Sequence, residues 1–84
     1  MSPDEIRFEV RRHLASRPTA SLDLDSIVHG LARKGVEATS QQVTEALTFL
    51  MHLERPQVTG HINSINAKRY QITSAGVVAF ENND

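Results

Sequence analysis

The side chains of this 84-residue chain that could do chemistry fall into two groups and a scatter. The first group is a run of hydroxyls and amides, Thr39, Ser40, Gln41, Gln42, Thr44 and Thr48, with Glu45 among them. A glutamine amide can donate to and accept from one base edge at once, as it can at N6 and N7 of adenine. Hydroxyls bond phosphate oxygens or touch a thymine methyl group, and Glu45 could accept from a cytosine amine or repel a phosphate backbone. The second group is basic: Arg55, His61, Lys68 and Arg69. Each cation placed on a phosphate releases a counterion and steepens the salt dependence of binding. The scatter is four histidines, His13, His29, His52 and His61. None is spaced as a His-x-x-x-His or His-x-His pair, and no cysteine supports them, so no metal site is expected. His13 and His29 lie on or beside apolar helical positions and read as half-buried structural residues. No Gly-rich phosphate loop, nucleophile elbow or nucleophile–base motif is present. The expectation is a protein that is not an enzyme, with no catalytic residue and no cofactor.

These residues need elements to hold them. Ser2-Pro3-Asp4-Glu5 starts a helix, with Ser2 as cap, Pro3 in the first position and Glu5 as capping-box partner. Ile6, Val10, His13 and Leu14 recur at helical spacing over residues 3–16, and Pro18 ends the run. Phe8 falls off that stripe, so it covers a second contact or faces a partner. The connector from Thr19 to Leu22 has room for a minimal strand that pairs with a hairpin. Asp23 caps a second helix over residues 24–34, whose Leu24, Ile27, Val28 and Leu31 form a buried stripe. Gly35 is its left-handed stop.

A turn at Val36-Glu37-Ala38 leads to Thr39, which with Gln42 makes a second capping box. The third helix is predicted over residues 40–54, with Val43, Ala46, Leu47, Leu50 and Met51 inward, Leu53 near its end, and Pro56 closing it. Its other face holds the polar group that opened this section. Strands at residues 57–62 and 67–72 then alternate, with Val58, Gly60 and Ile62 on one face and Tyr70 and Ile72 on theirs. Asn63-Ser64-Ile65-Asn66 is the loop between them, where Ile65 folds back on the hairpin or touches a partner or a minor groove. Arg69 and Tyr70 alternate faces, so the arginine can point out while the tyrosine packs in. Thr73 or Ser74 caps a short last helix over residues 74–81.

The formal net charge is −1, lower than is usual for a dedicated DNA-binding domain. The charge is uneven. Residues 18–54 hold Arg33 and Lys34 against Asp23, Asp25, Glu37, Glu45 and Glu54, whereas residues 55–72 hold Arg55, Lys68 and Arg69 with no acid. A polyanion is therefore better received at the hairpin than anywhere else, unless these cations only keep a hairpin edge soluble. With 84 residues the chain makes one domain with a modest core, and dimerisation would stabilise it. The polar start shows no signal-peptide pattern and no apolar run is long enough to span a bilayer, so a soluble cytoplasmic protein without membrane contact is expected.

Three stretches together carry a resemblance: Asp23-x-x-x-Ile27-Val28-x-x-Leu31-x-x-x-Gly35, Ser40-x-x-Val43-x-x-Ala46-Leu47-x-x-Leu50, and Arg69-Tyr70-x-Ile72-Thr73-x-x-Gly76. The chain resembles, over residues 5–80, bacterial and phage winged-helix transcription regulators of the ArsR/MarR/PadR type. The resemblance implies an α+β winged helix-turn-helix: a three-helix core, a C-terminal β-hairpin wing and a short last helix. It also implies binding of double-stranded DNA by the helix from Thr39 and by the hairpin around Lys68 and Arg69. The metal-sensing cysteine pair and long dimerisation helices of some such regulators have no counterpart here, so a homodimer would have to use the first or the last helix. The rival expectation is a winged-helix module that binds a protein partner and no nucleic acid. Its support is the −1 charge, the acidic middle segment, and Phe8 and Ile65. An unbroken positive stripe from Arg55 to Lys68 and Arg69 would favour DNA, and a broken one would favour protein.

Overall fold

Side-chain caps start every described helix of the computed structural model, which describes residues 2–62 and 68–82, with the backbone alone for His61 and Ile62. The loop expected at residues 63–66, including Ile65, lies outside the described residues. Helix α1 spans Pro3–Ala15, with the Ser2 hydroxyl accepting from the Glu5 amide and the Glu5 carboxylate accepting from the Ser2 amide at 3.3 Å. Strand β1 is Leu22–Asp23, at the far end of the connector that was expected to hold a strand. Helix α2 spans Leu24–Arg33, and its cap Asp23 accepts from the Ser26 amide at 2.8 Å. Gly35, at φ 82°, takes the left-handed position after it, where other residues are strained. The Val36 amide then reaches the Leu31 carbonyl and the Gly35 amide reaches that of Ala32, which closes α2 in a Schellman motif.

Helix α3 spans Ser40–Met51. It ends three residues before the expected stop at 54. His52 caps it, with its Nδ1–H donating to the Thr48 carbonyl at 2.8 Å, and residues 52–55 bend away before Pro56 is reached. Strands β2 (Val58–Ile62) and β3 (Lys68–Ile72) follow, then α4 (Ser74–Glu81), capped by the Thr73 hydroxyl on the Gly76 amide.

The three strands form an antiparallel sheet in the order β1-β3-β2, with Leu22 opposite Tyr70 and Gly60 opposite Tyr70 from the other side. The central strand β3 thus joins the chain before α2 to the hairpin. Four described helices and this sheet make an α+β fold whose element order is compatible with a winged helix. One core gathers Ile6, Val10 and Leu14 from α1, Ile27 and Leu31 from α2, Val43, Leu47 and Leu50 from α3, and Val58, Tyr70 and Ile72 from the sheet. No described helix is long and apolar enough to cross a membrane.

Gly30 lets α1 and α2 approach closely. His13 lies across Gly30, so that a Cβ added at Gly30 would fall on the imidazole ring, 2.6 Å from Nε2. Replacing a helical glycine by alanine normally stabilises by about 1 kcal/mol. Here the sign should reverse, because overpacking costs about 1–3 kcal/mol. We expect Gly30→Ala to lower the midpoint of urea denaturation. A raised midpoint would show that the ring moves aside at no cost.

Candidate functional site

The outward face of α3 is largely polar. Gln41, Glu45, Thr48 and His52 stand at i, i+4, i+7 and i+11, with Thr44 beside them, all exposed and opposite the buried Val43, Ala46, Leu47 and Leu50. Gln41 is tied within the row, its Nε2 donating to Glu45 Oε1 at 3.3 Å. Glu45 is the only charged side chain of α3.

Thr39, Ser40 and Gln42 are exposed too, but two of them hold the helix start. The Thr39 hydroxyl accepts from the Gln42 amide at 3.1 Å, and the Gln42 side-chain oxygen accepts from the Thr39 amide at 2.9 Å. Gln42 therefore cannot offer its side-chain oxygen to a ligand, and so cannot make the two-bond contact to one base edge, without opening the cap. With Glu45 it lies along the seam where α3 meets Pro3, Ile6 and Arg7 of α1. Gln41 takes no part in the cap, and its amide nitrogen donates to Glu45.

The hairpin divides the basic group. Lys68 shares the inward face of β3 with Tyr70 and Ile72, and Arg69 points the other way. Gly60 provides the space for Lys68: both Lys68 Cε and Met51 Sδ sit 3.2 Å from where a Cβ on Gly60 would be. The lysine stem thus runs beside the last turn of α3, with its ammonium 5.6 Å from the centre of the Tyr70 ring. Arg69 donates to the Ser21 carbonyl at 3.2 Å and stands opposite Asp23 in the sheet, so it closes the connector onto β3. Arg55 lies at the other end of the hairpin, against Ala75, Val78 and Asn82 of the α4 end. His61 is opposite Arg69 in the register, and its side chain is outside the described residues. Of the two arrangements open to Arg55, Lys68 and Arg69, the broken stripe is the one found, and Lys68 is the one of the three beside Met51 at the end of α3.

Two further corrections concern residues away from α3. His29 is exposed, on the solvent side of α2, and not half-buried. His13 is half-buried, with Lys34 Nζ 3.4 Å from its Nδ1, so the neutral ring accepts from the ammonium. Desolvation, and then the charges of Lys34, Arg17 and Arg33, push its pKa below the ordinary 6.5. Among described residues no group of three histidines, aspartates or glutamates is placed to hold a metal.

One cluster escaped the reading of the sequence. The Arg7 guanidinium stacks on the Phe49 ring, 3.6 Å from its centre, and also pairs with Asp4 at 2.9 Å. Phe49 stays 44% exposed. The two residues are 42 positions apart, and only the packing of α1 on α3 joins them; the available signal was that Phe49 lies just off the apolar stripe of α3. No protein-family model matches the chain, and neither curated proteins nor solved structures yield a match.

Two measurements follow from this geometry. Thr39→Ala should cost about 1 kcal/mol of stability through the lost cap, whereas Gln41→Ala should stay within about 0.5 kcal/mol of the parent in urea denaturation. Equal losses would mean that Gln41 also holds the fold. The second concerns acid. Above pH 6.5 the His13 ring is neutral in both folded and unfolded chains. Below it the unfolded chain takes up the proton first, so stability falls as pH drops towards the lowered value. Glu5 and Asp23, held low by the amides of Ser2 and Ser26 that they accept from, add to the loss only in the carboxylate range. The stability–pH curve should therefore fall in two steps, and His13→Gln should remove the upper one. An upper step that survives that substitution would place the titrating group elsewhere.

Proposed function

We propose that this chain is a winged-helix DNA-binding protein, a small transcription regulator of bacterial or phage type, with α3 in the major groove and the hairpin as its wing. The observation that carries the proposal is the exposed polar row of α3 flanked by Lys68. Helix-turn-helix proteins read base edges from the first turn of such a helix, and Gln41 is the exposed amide there that the cap does not use. In this assignment Gln41, Thr44, Thr48 and His52 face the groove floor. Ser40, with the exposed N-terminal end of α3, meets a phosphate. Lys68 meets the flanking backbone, and Gln42, Thr39 and Arg69 hold the frame that presents them.

Electrostatics limit how tightly this surface can bind. A helix without lysine or arginine and a wing with one well-placed cation neutralise few phosphates, so affinity per domain should be low and the salt dependence shallow. A second reading, a protein-binding module without nucleic-acid contact, is favoured by the broken positive stripe and by the exposed Phe49. The fold alone does not choose between them.

Fluorescence anisotropy with labelled duplexes separates the roles. Lys68→Ala should weaken binding to all sequences alike and reduce the salt slope by about 1. Gln41→Ala should leave the slope unchanged and alter the ranking of sequences. Arg69→Ala should act mainly by loosening β1. If Arg69→Ala lowers the slope and Lys68→Ala does not, the assignment of the wing contact is wrong. If no duplex binds at low salt, the protein-binding reading takes its place.

A further inference from the structure

The cations at the ends of α1 and α2 belong neither to the polar row of α3 nor to the hairpin. Arg17 follows the cap of α1, at i+4 from His13, and its amide still reaches the Leu14 carbonyl at 3.1 Å, so it continues the helical turn. Arg33 and Lys34 close α2, at i+3 and i+4 from Gly30. Residues so spaced are neighbours on one helix face. Because His13 lies across Gly30, the packing of α1 on α2 gathers Arg17, Arg33 and Lys34 about one half-buried imidazole ring. Lys34 Nζ is 3.4 Å from His13 Nδ1. The charges of all three cations oppose protonation of that ring.

All three cationic side chains are exposed, and none forms an ion pair with a described residue. Glu9, one turn before His13 on α1, is held by Arg12 at 3.6 Å. Glu37, beyond the stop of α2, pairs with none of them. Cations at a helix C-terminus offset its dipole, which is the ordinary reason for finding them there. Each helix end carries about half a negative charge, so the ends of α1 and α2 together offset about one of the three cations. The rest is uncompensated positive charge in a chain whose net charge is −1. Such a concentration of one sign draws counter-ions of the other.

We propose that Arg17, Arg33 and Lys34 form a binding site for a compact, multiply charged phosphate anion, with His13 at its base. The guanidinium forks of Arg17 and Arg33 suit phosphate oxygens two at a time, and the ammonium of Lys34 supplies a point charge. A compact anion with two or more charges meets all three cations at once, whereas a duplex offers singly charged phosphates spread along its strands. Occupation also acts on His13, because the anion favours the imidazolium that the cations alone disfavour. The site uses no residue of α3 or the hairpin, so it stands whether or not DNA binds there.

NMR of the full chain titrated with inorganic pyrophosphate, at low salt and without DNA, tests the site. Amide shifts should be confined to residues 13–17 and 30–35, with the rings of His29 and His52 unmoved. The titration of the His13 ring should move to higher pH. Arg17→Ala and Arg33→Ala should each weaken pyrophosphate binding by about tenfold, the loss of one hydrogen bond between charged groups. Both positions are exposed, and circular dichroism checks that each variant is folded. Lys68→Ala should bind pyrophosphate as the wild type does. Absence of pyrophosphate binding at low salt, binding that both arginine variants retain, or a His13 titration that does not move would overturn the proposal. So would a loss of duplex binding in the arginine variants as large as in Lys68→Ala, which would give the cluster to DNA instead.

Discussion

Beyond the core contacts of Val58, Tyr70 and Ile72, the hydrogen bonds of one residue, Gln57, join the base of the hairpin to the helices, and the relation between α3 and the wing depends on it. Its amide donates to the Leu50 carbonyl at 3.0 Å, which ties the start of β2 to the last turn of α3. Its carbonyl accepts from the Thr73 amide at 2.9 Å, which brings the end of β3 and the cap of α4 to the same point. Its side-chain oxygen accepts from Arg11 at 2.9 Å, which reaches into α1. Gly76 leaves room for that carbonyl, since a Cβ there would collide with it. Because this junction is at the base of the hairpin, β2 and β3 run along the end of α3, with Lys68 beside Met51. Hydrogen bonds to a charged donor in a partly buried place contribute about 1.5–3 kcal/mol, more than exposed surface ion pairs do.

Stability and recognition compete for the same side chains. Thr39 and Gln42 belong to the polar group that could meet a ligand, yet they satisfy each other and two amides of the helix start. Arg69 belongs to the basic group, yet it closes β1 onto β3. What remains outward is Gln41, Thr44, Glu45, Thr48 and His52 on α3, with Lys68 beside them. The surface is thus rich in hydrogen-bonding groups and poor in charge, a composition that can discriminate between ligands better than it can hold them.

Much of the fold was legible because its signals are local. Ser2 with Glu5, Asp23 with Ser26, Thr39 with Gln42, and Gly35 each satisfy backbone groups within a few residues, and the apolar stripes of α1, α2 and α3 follow the helical period. The alternation of Val58, Gly60, Tyr70 and Ile72 likewise marks the inner face of the hairpin. What was misjudged depends on contacts between distant residues. The end of α3 is set by His52 folding back on Thr48 rather than by Pro56. His29 shares a helix with a buried stripe, but the direction of its neighbours leaves it in water. The candidate site was legible as residue types and only partly as geometry: strand alternation separates Arg69 from Tyr70, yet only packing shows Lys68 beside α3, Arg55 against α4, and Arg7 over Phe49.

The central claim is that the outward row of α3 and the inner edge of the hairpin form one DNA-binding surface. Amide NMR titration with a mixed-sequence duplex, first at low and then at near-physiological salt, tests it most directly. The account predicts shifts at Gln41, Thr44, Glu45, Thr48 and Lys68 that weaken as salt rises, with Arg55 and α4 unmoved. Absence of shifts at low salt, where non-specific binding is strongest, or shifts centred on Arg55 and α4, would contradict it.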